Sequence, residues 1–575
     1  TPCLTNPGDE ALPFAGFSAD IGRFAPRGAQ ALVFRSEWGR EMTPCLVPAA
    51  GLSLAVRSGR SCHGHAPYAF LQEADGAWHG YAVCWPGNWR LTFTGDGRVV
   101  YSMDEDMLSG TLAPGETLAL PQALTADGGA SRDSLCQDLC ACLREVLPRT
   151  RLRPEEISWN HWWRYEDVDI TEDVVLRNAR VAAELGLTQV VLDAGWFGDA
   201  EGEAHWTQLR GDWGRVNHRR FPHGLAWLAD QIHGLGLRFG LWVEPEGLGA
   251  KSRLRAQHPE WEALRDGKPL PEPCLCLGAA GAAEHVCDQL ARLVRLTKAD
   301  WLKLDFNVDV GLGCNRGDHG HEPGMGLFRH LTAYMALLDH LRRTFPGLVV
   351  ENCSSGGLRM DLCTMAHTDV CFLSDPDETA HSLQVFQHLS FLPPERLLHW
   401  AWSETRPYPD GSRVFPGLPS HAPPEALASA VAGAMLHPWG VSRDLTAMPA
   451  AQRETLRTHI RLYREAIAPM LARSRLHLLT PPPLRRGERS RDDGRLAPWA
   501  GTSAACLMED GRRGWLLALG RVKEPPNLPA TWSSPLALRR AADGAVLPWT
   551  GRLPPPPKGM EAVLYELILC KEETS

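Results

Sequence analysis

Hydrophobic and polar positions are spaced in different ways along the chain, and the changes mark its organisation. Over residues 1–150 the apolar runs are short and alternate with polar positions, as in Gln30–Phe34, Ala66–Leu71 and Trp78–Trp85. Gly, Pro and Asp-Gly pairs break them, which predicts antiparallel strands of a β-sandwich. A helix-length segment, Arg132–Leu147, leads into Arg149–Pro154, which reads as a boundary. Beyond it eight apolar runs of strand length recur: Ile157–Trp163, Gln189–Asp193, Leu237–Val243, Trp301–Asp305, Leu348–Cys353, Val370–Leu373, Leu397–Trp402 and Val431–His437. Each is followed by polar residues and a helix-length stretch. Thr171–Leu185 and Leu225–Leu235 are amphipathic, with Gly186 and Gly236 where the glycine that ends a helix belongs. Eight strands alternating with helices over about 310 residues is the arithmetic of a (β/α)8 barrel. Short strands return after Pro481–Pro483 and the charged run Arg485–Arg495, and Pro554–Pro557 is a rigid spacer before a last strand, Ala562–Leu569. The expected fold class is α/β. A central TIM barrel over 151–470 is flanked by an N-terminal β-sandwich (1–150) and a C-terminal antiparallel β-sandwich (471–575).

Charge narrows the partners. The 59 Lys and Arg against 68 Asp and Glu give a net charge of −9 and a pI near 6.2. A nucleic-acid binder wants a basic face, so no nucleic-acid partner is expected. No apolar stretch approaches the ~20 residues of a membrane helix, so no membrane is expected either. Thr1-Pro2-Cys3-Leu4 is not the basic start of a signal peptide. The 16 Cys are scattered through apolar runs, as reduced structural thiols would be, and together these point to the cytoplasm, or to secretion if a leader has been removed. Cys136-x3-Cys140-x-Cys142 and Cys274-x-Cys276 lack zinc-finger spacing. Asp318-His319-x-His321-Glu322 offers ligand types, but its Gly-rich surroundings favour a solvated or substrate-edge loop over a metal site. The 21 Trp supply flat faces that suit sugar-like ligands.

In a TIM barrel the site lies at the C-terminal ends of the strands. The residues there are Trp162, Asp193, Glu244, Asp305, Cys353, Asp375, Trp402 and His437. Asp305 ends the fourth strand two residues after Lys303, on the same side of the strand, so an ammonium holds that carboxylate ionised. Asp375 follows the sixth strand. An isolated Asp at such a position often just caps the next helix. Two facing carboxylates roughly 5–5.5 Å apart would instead suit a retaining glycosidase, although they do not by themselves name the reaction. Glu244 and Glu246 read as support that orients Lys303 or a loop.

Ordered motifs across residues 55–465 carry a resemblance. They are Gly59-Arg60-Ser61-Cys62-His63, Pro86-Gly87-Asn88-Trp89, Ile157-Ser158-Trp159-Asn160-His161-Trp162 and Leu192-Asp193-Ala194-Gly195-Trp196-Phe197-Gly198. Further on stand Gly211-Asp212-Trp213, Phe221-Pro222-His223-Gly224-Leu225, Phe239-Gly240-Leu241-Trp242-Val243-Glu244-Pro245-Glu246, His258-Pro259-Glu260-Trp261, Lys303-Leu304-Asp305-Phe306-Asn307 and Glu351-Asn352-Cys353-Ser354-Ser355-Gly356-Gly357. The chain resembles glycoside hydrolase family 36, the α-galactosidase family. The resemblance implies a retaining α-galactoside hydrolase with Asp305 as nucleophile and Asp375 as acid/base. It implies that Asp193, Lys303, Asn307, Cys353 and Gly356 line the sugar subsite, with Trp162 as an aromatic wall and Trp196 in the same binding set. No metal and no cofactor is expected, because two carboxylates suffice. A homo-oligomer is among the assemblies it implies.

Departures from the family pattern bear on substrate. Ala194 stands where the family has a second Asp, and Phe306-Asn307-Val308-Asp309 replaces Met-Asn-Arg after the nucleophile. Ser374-Asp375-Pro376-Asp377-Glu378 differs from Ser-Asp-Asn-Thr-Asp, Leu358 replaces a third Gly, and the N-terminal sandwich is shorter than usual. These changes remove a cation and add Asp309, Asp377 and Glu378, which would suit a positively charged amino sugar. An α-galactosaminidase or α-N-acetylgalactosaminidase is therefore one alternative to an α-galactosidase. An α-galactosyl transglycosylase and a non-catalytic sugar-binding protein are others.

Overall fold

The apolar runs of the middle region become parallel strands: β1 (Ile157–Asn160), β2 (Gln189–Leu192), β3 (Arg238–Val243), β4 (Trp301–Leu304), β5 (Val349–Asn352), β6 (Val370–Phe372), β7 (Leu397–Trp400) and β8 (Trp439–Val441). They follow one another in a closed barrel, β1 pairing with both β2 and β8. Apart from the first residue of β3, every position in them is buried. Strands covered on both faces read as unbroken apolar runs, which is why the sequence marks them clearly. The computed structural model describes residues 2–198, 204–377, 389–401, 403–480, 502–508, 513–523 and 536–569, with a few positions between 525 and 532. Glu378, Trp402 and the charged run Arg485–Arg495 lie outside the described residues.

Local signals place the helices. Thr171 caps α1 (Glu172–Leu185) by accepting from the Val174 N–H, and Gly186 ends it with φ +92°. One strand falls elsewhere than expected. Val431–His437 lies on and just after α2 (Pro424–Ala434), and the eighth strand begins only at Trp439. Pro at the first turn and a run of Ala favour the helix there, and Pro438 separates it from the strand. His437 accordingly precedes β8 instead of ending it.

The chain divides into two compact units, one of residues 1–135, 194–229 and 241–371, the other of 136–193, 230–240 and 372–575. In the first, Gln122–Gly129, Trp78–Cys84, Gly64–Gln72, Gln30–Ser36 and Thr43–Pro48 form a five-stranded sheet in that order. Phe17–Arg23, Arg98–Met103, Trp89–Phe93 and Leu52–Val56 form a four-stranded one. The two sheets meet where Tyr81 packs edge-on against Phe93, 5.7 Å between centroids. In the second unit, residues 474–569 form one six-stranded antiparallel sheet among the described residues. A helix packs against it. Ala428 of α2 joins its core with Leu516, Leu538 and Tyr565, and the Ser429 hydroxyl accepts from the Glu561 and Ala562 N–H groups. Cys62, Cys274, Cys276 and Cys314 are buried thiols outside any disulfide. No helix among the described residues is long and apolar enough to cross a membrane.

Candidate active site

Asp305 leaves β4 with its N–H donating to the Val243 carbonyl at 2.9 Å, which fixes where its side chain starts. The carboxylate is 8% exposed. One oxygen accepts from the Phe306 and Ser355 N–H groups at 2.8 and 3.1 Å, the other from the Trp242 indole at 3.1 Å. Burial pushes the Asp305 carboxyl up, but the Lys303 ammonium, Asn307, Trp242 and the Ser355 N–H outweigh it and hold the group below the ordinary carboxylate range. An ionised, fixed carboxylate at a strand end is what a nucleophile requires.

The neighbours are themselves held. Asn307 donates to Glu244 through its backbone and its amide, at 2.9 and 3.3 Å, and its amide oxygen accepts from the Ser355 hydroxyl at 2.7 Å. Ser355 sits at φ +44°, a conformation disfavoured for a residue with a side chain, and its N–H is the one aimed at Asp305. Gly356 follows at φ +78° and accepts from the Ser354 N–H, closing the turn, while the Cys353 N–H donates to the Leu304 carbonyl. Glu244 is fully buried, which raises its pKa to about 7 against the opposing pull of Arg210, 3.3 Å away. Glu246, also fully buried, pairs with Arg359 at 2.6 Å and His330 at 2.8 Å. Arg359 lies over the Phe306 ring, 4.3 Å from its centroid. Both glutamates therefore hold the loop after β4, as the sequence suggested for a loop.

Asp309 has a different place from the one its charge suggested. Its carboxylate is bound by Arg60 at 2.8 Å and by His63 at 2.8 Å. Arg60 also donates to the Phe306 carbonyl and the Ser355 hydroxyl. A cation thus reaches the loop after β4 from the segment that joins the two N-terminal sheets. The approach is close. Gly59 is at φ +88°, and a Cβ there would lie 2.3 Å from Val310 Cγ2. Asn88 bridges the Gly59 N–H and the Gly311 carbonyl, and the Gly311 N–H donates to Ser58. Trp196 is also reassigned: it is fully enclosed among Phe197 and Trp213, and its indole donates to the Trp242 carbonyl. It shapes the wall that carries Trp242 and offers no face to a ligand.

The second unit holds the remaining candidates. Asp193 ends β2, 3% exposed, with one oxygen accepting from Asn160 at 2.7 Å and its N–H donating to His161. The Asn160 oxygen accepts from the Trp162 N–H, fixing that half-buried ring at the end of β1. Asp375 is half-buried just after β6. Asp377 is buried and accepts from the Ser403 N–H at 2.6 Å; burial lifts its pKa to about 6. Sequence reasoning missed Trp242, Ser355, Arg60 and His63 as individual contributors. All four stood inside recognised motifs, and nothing in their spacing tied them to Asp305 or Asp309.

The Melibiase family model matches residues 121–470, more than half of the 575-residue chain. Alpha-galactosidase AgaA of Geobacillus stearothermophilus is 27% identical over 454 residues, covering 74% of this chain and 59% of that one. Alpha-galactosidase 2 of Pediococcus pentosaceus is 29% identical over 357 residues, covering 60% and 49%. The chain thus spans about half to three-fifths of the length of these curated relatives. The crystal structure of the Geobacillus AgaA superposes with a TM-score of 0.81 at 21% identity, covering 99% of this chain and 79% of that one. With its closed barrel, its flanking sheets and its match to the family model, the chain belongs to the Melibiase family, as a member of glycoside hydrolase family 36.

Proposed function

We propose that this chain is a retaining α-galactoside hydrolase. The Asp305 carboxylate attacks the anomeric carbon while Asp375 gives its proton to the glycosidic oxygen, and the aglycone departs carrying that proton. Asp375, now a carboxylate, takes a proton from water, whose oxygen attacks the same carbon and releases Asp305. The observation that supports this most is the setting of Asp305: buried, ionised, gripped on both oxygens, and placed at a strand end of a barrel. Lys303, Asn307, Asp193, Cys353, Gly356 and Trp162 are proposed to bind the sugar. Structures of variants of the Geobacillus AgaA hold raffinose and stachyose, which supports galactosyl oligosaccharides as the substrate class.

The galactosaminide reading rests on spare negative charge, and the surroundings of Asp309 and Asp377 speak against it. Asp309 is already paired with the Arg60 guanidinium and hydrogen-bonded to His63, and Asp377 is buried against the Ser403 N–H. Asp309→Asn is therefore expected to leave the ratio of galactoside to galactosaminide cleavage unchanged. A twofold or larger shift in that ratio, measured as kcat/KM on the paired aryl glycosides, would revive the amino-sugar reading.

The direct experiment is a panel of p-nitrophenyl α-glycosides of galactose, galactosamine, N-acetylgalactosamine and glucose, with the first-formed sugar read by NMR. Fast release from the galactoside with the α anomer appearing first is expected. For Asp375→Ala, loss of general acid help should cost ~10²–10⁴-fold on raffinose but far less on the nitrophenyl substrate, whose leaving group needs little protonation. Equal losses on both substrates would remove Asp375 from the acid role, and a β anomer first would remove the double displacement.

A further inference from the structure

Four residues that no step of hydrolysis uses come together where the loop after β4 meets the segment around Cys276. Cys276, Cys314, His319 and His321 each present one ligand atom, and those four atoms lie within 4.8 Å of one another. All four side chains are buried, at 1%, 3%, 2% and 7% exposure. This overturns the expectation of a solvated loop around His319 and His321; Asp318 and Glu322, the other members of that motif, are the ones at the surface. From these positions we propose that the cluster is a structural zinc site of the Cys2His2 type.

The distances fit the ion. Zn–S bonds of ~2.3 Å and Zn–N bonds of ~2.0–2.1 Å at tetrahedral angles put sulfur and nitrogen ligands ~3.5 Å apart. Cys276 Sγ lies 3.3 Å from His321 Nε2, and Cys314 Sγ lies 3.4 Å from His319 Nδ1. Two thiolates also neutralise the ion, so the buried site carries no net charge. Soft sulfur with imidazole nitrogen in four-coordinate geometry selects zinc over magnesium or calcium.

One of the two histidines is oriented from behind. His321 Nδ1 lies 2.9 Å from the Glu322 carbonyl, which can only accept, so the proton sits on Nδ1 and the Nε2 lone pair faces the cluster. A metal-bound histidine is held in this way by a backbone carbonyl on its other nitrogen. Two glycines let the chain close around it. A Cβ on Gly326 would lie 1.8 Å from the Cys314 carbonyl and 3.0 Å from His321, and one on Gly278 would lie 3.1 Å from His321. Cys276 is followed by the Leu277 N–H, which donates to His330, the partner of Glu246. The ion would therefore tie residues 314–321, in the loop that starts at Asp305, to the segment that carries Cys276. The site requires neither hydrolase activity nor a particular substrate.

The test uses the full chain purified without chelators and under reducing conditions. One zinc per chain by elemental analysis is expected, with loss of that zinc and a lower Tm after treatment with a strong chelator. One equivalent of zinc, but not magnesium, should restore the Tm. Cobalt in its place should give tetrahedral visible bands with thiolate charge transfer. Cys314→Ser and His319→Ala should bind substoichiometric zinc and lose the charge-transfer intensity or shift it, whereas Cys142→Ser, at an exposed thiol, should behave as wild type. A wild-type chain that is zinc-free as purified, and whose Tm does not move when zinc is added, overturns the proposal even if the variants fail to fold. So does an intact mass two daltons low, with Cys276 and Cys314 joined as a disulfide.

Discussion

Asp305→Ala is expected to lower kcat/KM for an aryl α-galactoside by ~10⁴-fold or more, the scale on which loss of an attacking group registers. That corresponds to ~5.5 kcal/mol of transition-state stabilisation. The fold should survive, because the change removes a carboxylate from a site whose other donors, the Trp242 indole and the Phe306 and Ser355 N–H groups, border the cavity that alanine leaves. Added azide should restore part of the rate by taking the place of the missing carboxylate, giving the β-galactosyl azide. Rates within tenfold of wild type, on protein of unchanged Tm, would mean that another group attacks the sugar. The companion Asp305→Asn keeps shape and most hydrogen bonds, so a comparable loss there would assign the effect to charge and nucleophilicity.

Glu246→Ala should be the most destabilising single change in the barrel loops, by about 3–5 kcal/mol, the cost of leaving a buried partner charge alone. Arg359 is 1% exposed and would keep its guanidinium over Phe306 with no carboxylate to meet it. His330 would lose its acceptor at the same time. Chemical denaturation at neutral pH measures the loss, and a Glu246→Ala, Arg359→Ala cycle isolates the pair, with strong coupling expected. The sign of the pH dependence follows from the direction of the shift. Burial pushes the Glu246 carboxyl up, but Arg359 and His330 outweigh it and leave the folded pKa below the ordinary value. Its contribution is therefore present above the unfolded pKa and fades as pH falls through the folded one, so the gap between wild type and variant should narrow in acid. A loss below about 1 kcal/mol at neutral pH would show that water replaces the carboxylate at low cost.

How much of this the chain announces depends on how local the physics is. Seven barrel strands were readable because covering both faces leaves runs such as Trp301–Leu304 without a polar break other than Lys303. The eighth was misplaced because an Ala-rich helix and a buried strand look alike over seven residues. Asp305 stood out through Lys303, two positions away, since strand geometry sets their side. Asp309 did not, because Arg60 is 249 residues earlier and no periodicity reaches that far. The Cys and His cluster failed for the same reason: 38 positions separate Cys276 from Cys314, so spacing rules written for single fingers pass over it. Trp196 was misassigned because a tryptophan inside a sugar-site motif looks the same whether it faces the ligand or backs the wall.

The junction at Gly59 bears on how this protein can be rebuilt. The barrel looks like a transferable part, yet the segment running from Asp305 through Asp309 is finished by Arg60, and Gly59 permits the approach. A trimmed barrel starting near residue 150 would keep Asp305 and lose the guanidinium that braces Phe306, Ser355 and Asp309 together. Grafting this barrel onto a foreign N-terminal module, or shuffling it with a relative, succeeds only if residues 58–63 and 309–311 travel as a matched set.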